Sequence, residues 1–317
     1  MKIPTDVDPL IFGFWKVPKD KCVDVTYEAI KCGYRRLDCA CDYGNEVEVG
    51  IGIQKALTEG ICKREDLFIT SKLWNTYHEP QHVPTAFDRT LQDLQLDYID
   101  EYLIHFPISM EFVPFESKYP PEWHNLDGKM VLLEKHDIIQ TWYAMEDLYK
   151  SGKAKSIGVC NFTTQLLRHL VAKCTVKPAT LQVELHPENA QTKLIKFAHS
   201  HGIKVTGFST LGASSYIELN MATSNERLLE NKVVVDIATT HSKTPAQVLI
   251  KWCIQRNVYP IVKTLNVERM KENRNIGDFT LSEDEMLAIT NLNQNKRYND
   301  PGVFCLDAFG TFCPIYE

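Results

Sequence analysis

The chain has 317 residues, 44% of them hydrophobic and 24% charged: enough apolar material for one large core, and too little length for several domains joined by linkers. A net charge of -6 disfavours nucleic acid or an anionic membrane as partner, because the field of the whole molecule repels polyphosphate, so an anionic ligand would need a local basic cluster. No apolar run reaches the roughly 18 residues of a membrane span. The start, Met1-Lys2-Ile3-Pro4-Thr5-Asp6, lacks the apolar stretch of a signal peptide, which predicts a cytoplasmic protein. Ten cysteines are scattered without a CxxC pair or zinc spacing. They read as buried free thiols in a reducing compartment, where the sequon Asn161-Phe162-Thr163 would carry no glycan.

Along the chain, strand-like runs alternate with helical ones. Strands are expected at Ile11 to Trp15, Arg36 to Cys39, Leu67 to Leu73, Tyr98 to Phe106, Ala154 to Cys160, Thr180 to Glu184, Lys204 to Ser209 and Tyr259 to Lys263. Between them, 3.6-residue periodicity predicts helices such as Val23 to Lys31 closed by Gly33, Glu46 to Thr58 closed by Gly60, and Ile138 to Lys150 closed by Gly152. Eight such units predict a single-domain (β/α)8 barrel over residues 1–317 rather than a doubly wound sheet. The only partial phosphate-turn motif, Gly50-Ile51-Gly52, lacks a third glycine and falls inside a helical pattern. Three connections exceed a plain loop: Pro107 to His136, Thr210 to Asn225, and the tail Asn291 to Glu317. In a barrel such segments form the active-site rim and carry substrate choice.

The strand ends carry Trp15, Asp38, Lys72, His105, Cys160-Asn161, Gln182, Phe208-Ser209 and Lys263, where packing alone would place Val, Ile and Leu. With Tyr43 just beyond the second strand, these residues suggest general-acid chemistry. A lysine ammonium in reach of a phenol lowers its proton affinity, so Tyr43 is the expected proton donor and Lys72 its activator. Asp38 would pair with Lys72, and His105 would donate to a carbonyl oxygen. Each alone reads more simply as structure: a buried Asp-Lys pair, a satisfied core histidine, an ordinary phenol. The functional reading rests on all four falling at one end of three successive strands.

The blocks Asp38-Cys39-Ala40-Cys41-Asp42-Tyr43-Gly44-Asn45-Glu46, Leu103-Ile104-His105-Phe106-Pro107, Gly158-Val159-Cys160-Asn161-Phe162, and Lys263-Thr264 through Arg269 to Glu272-Asn273 resemble the aldo-keto reductases over nearly the whole chain. Lys118-Tyr119-Pro120-Pro121 and Arg297-Tyr298-Asn299-Asp300-Pro301 bring it nearest the xylose and aldose reductases within that family. The resemblance implies a catalytic tetrad of Tyr43, Lys72, Asp38 and His105, with hydride supplied by a nicotinamide cofactor and no metal. It implies that Cys160, Asn161 and Gln182 hold the nicotinamide amide, that Phe208 stacks on its ring, and that Trp15, Ser209, Leu211 and Glu218 also contact the cofactor. Lys263, Thr264 and Arg269 would grip the adenosine 2′-phosphate, with Glu272 and Asn273 at the adenine and Leu265 also in the cofactor site.

The chain departs from that pattern at Cys160 for Ser, Phe208 for Tyr, Val262 for Pro, and Leu265 where xylose reductases carry Asn. Glu218 matches a carboxylate that accepts from the ribose of NADH. Together these imply NADPH preference with NADH also admitted. Trp15, Asp42, His105, Phe106 and Asn299 are the expected substrate contacts, and Asp42 with Asn299 favours hydroxylated substrates such as xylose. The tail Gly302-Val303-Phe304 lacks the usual tryptophans, and Glu188 stands where Tyr is usual, which would suit a bulkier, steroid-like ketone or a lipid aldehyde. A non-catalytic NADPH-binding barrel is the alternative from another class. The expected partner is a small carbonyl compound, not nucleic acid or membrane, with the chain a monomer or homodimer.

Overall fold

The computed structural model describes residues 8–123, 136–223, 226–304 and 315–316. The start of the chain, 124–135 of the first long connection, 224–225, and 305–314 and 317 of the tail lie outside the described residues. In chain order the elements are β1 (Ile11–Gly13), α1 (Lys19–Lys31), β2 (Arg36–Asp38), α2 (Glu46–Thr58), β3 (Phe68–Leu73), α3 (Val83–Leu94), β4 (Glu101–Ile104) and α4 (Ile138–Lys150). There follow β5 (Ile157–Cys160), α5 (Thr164–Lys173), β6 (Thr180–Glu184), α6 (Thr192–Ser200), β7 (Lys204–Phe208) and the short α7 (Ser214–Ile217). The chain continues with α8 (Lys232–Thr240), α9 (Pro245–Gln255), β8 (Val258–Val262), α10 (Val267–Arg274), α11 (Glu283–Thr290) and α12 (Pro301–Phe304). The strands follow one another from β1 to β8 as a closed barrel.

Every expected strand forms, most of them shorter than their apolar runs. The run Tyr98 to Phe106 pairs only over Glu101–Ile104: Ile99 makes an isolated bridge to Ala154, and Pro107, without an N–H, ends the ladder. Helices α2 and α4 have the expected bounds, and Gly33, Gly60 and Gly152 stop their helices at φ 96°, 69° and 77°.

Two compact units can be told apart, one of Gly13–Leu181 continuing from Asp300, the other of Gln182–Asn299 with the stretch ending at Phe12. In the first, β2 to β5 run parallel, with Asp38 opposite Thr70 and Lys72 opposite Leu103. Its interior carboxylate Glu101 is held by the hydroxyls of Thr70 at 3.3 Å and Thr180 at 2.5 Å. The glycine pair in α2 serves packing: a Cβ on Gly50 would stand 2.6 Å from the Asp93 carbonyl, and one on Gly52 2.6 Å from Thr26 Cβ. These are helix contacts, which removes the phosphate-turn reading of Gly50-Ile51-Gly52.

In the second unit β7, β8 and β1 pair in parallel, and Phe208 packs on Ile11, Tyr259 and Ile261. Helix α9 starts on a Thr244–Gln247 capping box with Pro245 in its first turn, and Asn266 caps α10 through the Arg269 amide. All eight described cysteines are free. Among the described residues no helix is long and apolar enough to cross a membrane.

Candidate active site

The first unit gathers the expected tetrad. Asp38 ends β2, Lys72 lies next to the end of β3, and His105 follows β4 directly. The Lys72 side chain is 0% exposed. Its ammonium donates to both Asp38 carboxylate oxygens at 2.9 Å, to the Cys39 carbonyl at 2.7 Å and to the Tyr43 hydroxyl at 3.0 Å. A buried cation is tolerable when its counter-charge and hydrogen bonds are complete, as they are here.

The half-buried phenol of Tyr43 also reaches Asp38 Oδ2 at 3.4 Å. Its proton affinity corrects the expectation from sequence: burial first, and then the Asp38 charge, push the hydroxyl well above a free phenol's value rather than below it. Tyr43 is therefore fully protonated, the form a general acid needs. His105 is driven well below the usual imidazole range by burial, then by Lys72 and His78, so the ring is neutral. Its Nδ1 is buried without a hydrogen-bond partner. The Tyr43 and His105 rings meet edge to face at 5.9 Å.

Phe106 stacks on His105 at 5.0 Å, and Trp74 meets the same imidazole at 5.1 Å. Trp123, from the first long connection, closes against Trp74 at 4.8 Å and Phe106 at 5.1 Å, while Trp74 Nε1 donates to the Glu122 carbonyl at 2.9 Å. Sequence reading found Phe106 and missed both tryptophans. Asp42 has a buried, unpartnered Oδ1. Burial, with the Glu122 charge, lifts this carboxyl to about 7 against the opposing pull of Lys118 and Lys72, so near neutrality it can both donate and accept. Trp15 is half-buried with the Lys16 ammonium 5.8 Å over its ring.

Beyond β5, Asn161 takes a left-handed backbone with φ 65° and donates its amide to the His105 carbonyl at 2.9 Å and to Cys160 Sγ at 3.2 Å. Burial lifts the Cys160 thiol well above its usual range, so Cys160 stays a neutral thiol. The Asn161 carbonyl oxygen accepts from the Tyr316 hydroxyl at 2.9 Å, a contact from the chain's penultimate residue that no sequence signal announced.

The second unit carries the other expected cofactor residues. Gln182 is buried on β6, and Phe208 ends β7. Ser209 again has positive φ, 58°, and its hydroxyl bonds the Tyr216 hydroxyl at 2.7 Å. Two left-handed non-glycine residues directly after β5 and β7 mark strained turns of the kind that cluster at functional sites. Leu211 and Glu218 flank α7, with Glu218 as its C-cap. After β8 come half-buried Lys263 and Thr264, then Leu265, 42% exposed. Arg269, in the first turn of α10, is exposed and makes no ion pair among the described residues. An unengaged guanidinium at a helix N-terminus is a fitting cradle for a phosphate. Glu272 is exposed and Asn273 buried on the same helix.

The sequence model of the Aldo/keto reductase family matches residues 9–294. The chain belongs to the aldo/keto reductase family. Family members are oxidoreductases acting on carbonyl groups, and so is this chain. The NAD(P)H-dependent D-xylose reductase of Scheffersomyces stipitis is 49% identical over 298 residues, covering 93% of this chain and 94% of that protein. The NADH-dependent D-xylose reductase of Candida parapsilosis is 46% identical over 93% of this chain and 92% of its own. The NADPH-dependent D-xylose reductase of Meyerozyma guilliermondii is also 46% identical, over 92% of each. Among solved structures, the aldose reductase of Schistosoma japonicum superposes with a TM-score of 0.84 at 35% identity, over 98% of this chain and 96% of that one.

Proposed function

We propose that this aldo/keto reductase converts the aldehyde of an open-chain aldose, a pentose such as xylose foremost, to the alcohol, with NADPH preferred and NADH also accepted. The observation that carries the reading is the sealed cluster of Lys72, Asp38 and Tyr43, with neutral His105 beside it. When bound, NADPH supplies the hydride to the carbonyl carbon. Tyr43 holds the proton that the developing alkoxide takes, and Lys72, fixed by Asp38, stands 3.0 Å from the phenol oxygen to stabilise the phenolate left behind. His105, neutral, has one N–H to offer the carbonyl oxygen and orients it.

On the cofactor side, Asn161 and Gln182 are suited to the nicotinamide amide, Cys160 is a weak donor beside Asn161, and Phe208 offers a ring face. Lys263, Thr264 and Arg269 are suited to the 2′-phosphate, with Glu272 and Asn273 toward the base. Arg269 favours NADPH; Glu218 admits NADH through its carboxylate. Exposed Leu265 offers no hydrogen bond to either. Asp42 and Asn299 would bind substrate hydroxyls between the aromatic walls of Trp15 and Phe106. The protein would act in the cytoplasm, as a monomer or homodimer, consistent with its free buried thiols.

The test is NADPH oxidation with D-xylose, a simple aromatic aldehyde and a steroid ketone in parallel, repeated with NADH. Turnover of xylose at the higher kcat/KM is the expected result. Turnover of the steroid ketone alone would replace the sugar reading, and tight NADPH binding with no turnover of any carbonyl would replace catalysis itself.

A further inference from the structure

Glu188, one of the departures from the family pattern, has a role in the second unit. Its carboxylate accepts from the Tyr298 hydroxyl at 2.7 Å, and its backbone carbonyl accepts from the amides of Gln294 and Lys296 at 3.0 Å each. Four residues earlier, fully buried Glu184 ends β6 and turns its carboxylate to the same stretch. Its Oε1 accepts from the Tyr298 amide and from His186 Nε2, and its Oε2 from the Asn299 amide, all at 2.8 Å. Residues 294–299 are thus stitched down by the Glu188 carbonyl at one end and by two carboxylates at the other.

Tyr298 is also tied in the other direction. Its ring stacks on Tyr216 at 5.4 Å with planes 19° apart and leans on His186 at 5.2 Å. Tyr216 in turn holds the hydroxyl of Ser209, the strained residue after β7. A continuous path therefore runs from Ser209 through Tyr216 and Tyr298 to Asn299.

We propose that Tyr298 is a positioning residue that couples the cofactor-side segment Ser209–Glu218 to the placement of Asn299, with Glu184 and Glu188 as its anchors. Its substrate consequence rests on the reading of Asn299 as a hydroxyl-binding residue. Because coupling is reciprocal, whatever orders Ser209 and Tyr216 also orders Asn299. A path of packed and hydrogen-bonded groups earns that description only by measured coupling.

Two measurements on the full chain test it. The first is amide hydrogen exchange over residues 293–299 without any ligand, in wild type, Tyr216→Leu and Tyr216→Phe, with β3 as the internal reference for global stability. Tyr216→Leu should speed exchange there by about tenfold while β3 is unchanged, and Tyr216→Phe, which keeps the stack, should restore most of the protection. Unchanged exchange at 293–299, or equal acceleration in β3, overturns the coupling. The second compares KM and kcat for a pentose and for an unhydroxylated aldehyde in Tyr298→Phe, which loses only the bond to Glu188. KM for the pentose should rise about tenfold, the worth of one hydrogen bond to a charged group, with kcat and the other aldehyde within twofold. Equal losses on both substrates would reduce Tyr298 to a purely structural role. A wild type that ignores pentoses would sink the sugar reading, while the exchange result would still decide the coupling.

Discussion

Next to the end of β3 a lysine is shut away from water and shared among two carboxylate oxygens, a carbonyl and a phenol; seven residues past the end of β8 an arginine stands in solvent with no ion pair among the described residues. The first arrangement is complete before any ligand arrives. The second is an exposed side chain on the first turn of a helix. Burial makes the Lys72 cluster rigid and expensive to disturb, because any charge left alone there has no water to turn to. Exposure makes Arg269 cheap to disturb for the fold, and in the proposed reading its guanidinium would grip the 2′-phosphate through two parallel hydrogen bonds.

Breaking the buried side should give the largest effects. Tyr43→Phe should lower kcat by about a thousandfold, within the range for a positioned general acid, while NADPH affinity by fluorescence titration stays within twofold. Surviving reduction in that variant would overturn the acid assignment. Lys72→Met leaves Asp38 as a buried lone charge and should cost about 3–5 kcal/mol in urea unfolding, most of it recovered when Asp38→Asn is added. If the single variant unfolds like wild type, the ion pair is not the structural unit described here.

The neighbouring Glu46 gives a pH signature. Its carboxyl accepts from Ser71 at 2.5 Å and Thr90 at 3.3 Å, and burial lifts it from an ordinary 4.5 to about 8. A carboxyl that binds its proton more tightly when folded loses stability as pH rises between those two values. Glu46→Gln should flatten that decline, gaining a few kcal/mol relative to wild type at the alkaline end; parallel curves for the two proteins would count against a buried neutral Glu46.

The open side should yield smaller and more selective losses. Arg269→Gln should weaken NADPH binding on the order of tenfold or more, leave NADH binding unchanged and shift the melting temperature little. A matching loss for NADH would place Arg269 away from the 2′-phosphate. Smallest of all, Tyr316→Phe frees the carbonyl of Asn161 and should tighten NADPH binding a few-fold; weaker binding would make Tyr316 a support for Asn161 rather than its competitor.

The buried side was also the more legible in sequence. Asp38, Lys72 and His105 fall at strand ends where packing calls for aliphatic residues, so position alone singled them out. The direction of the Tyr43 shift was not legible, since a sequence names the neighbouring lysine but cannot weigh it against burial. Trp74 lies one residue past a recognised strand, and Trp123, Tyr216 and Tyr316 lie in connections or at the chain end; their contacts depend on how those segments dock, which periodicity does not encode. Glu188 read as a change that would widen a pocket. Its hydrogen bond to Tyr298, 110 residues away, shows it also fastening the chain, a contact no periodicity announces.

The bare helix faces at Gly50 and Gly52 set the machine's tolerances. Helix α2 begins three residues after Tyr43 and one of its first carboxylates is Glu46, so its seat against Asp93 and Thr26 fixes where the phenol stands. With hydrogen as the only spacer, the fit has no slack to absorb a methyl group. Substitutions on this outer helix should therefore register as a detuned acid before they register as a damaged fold.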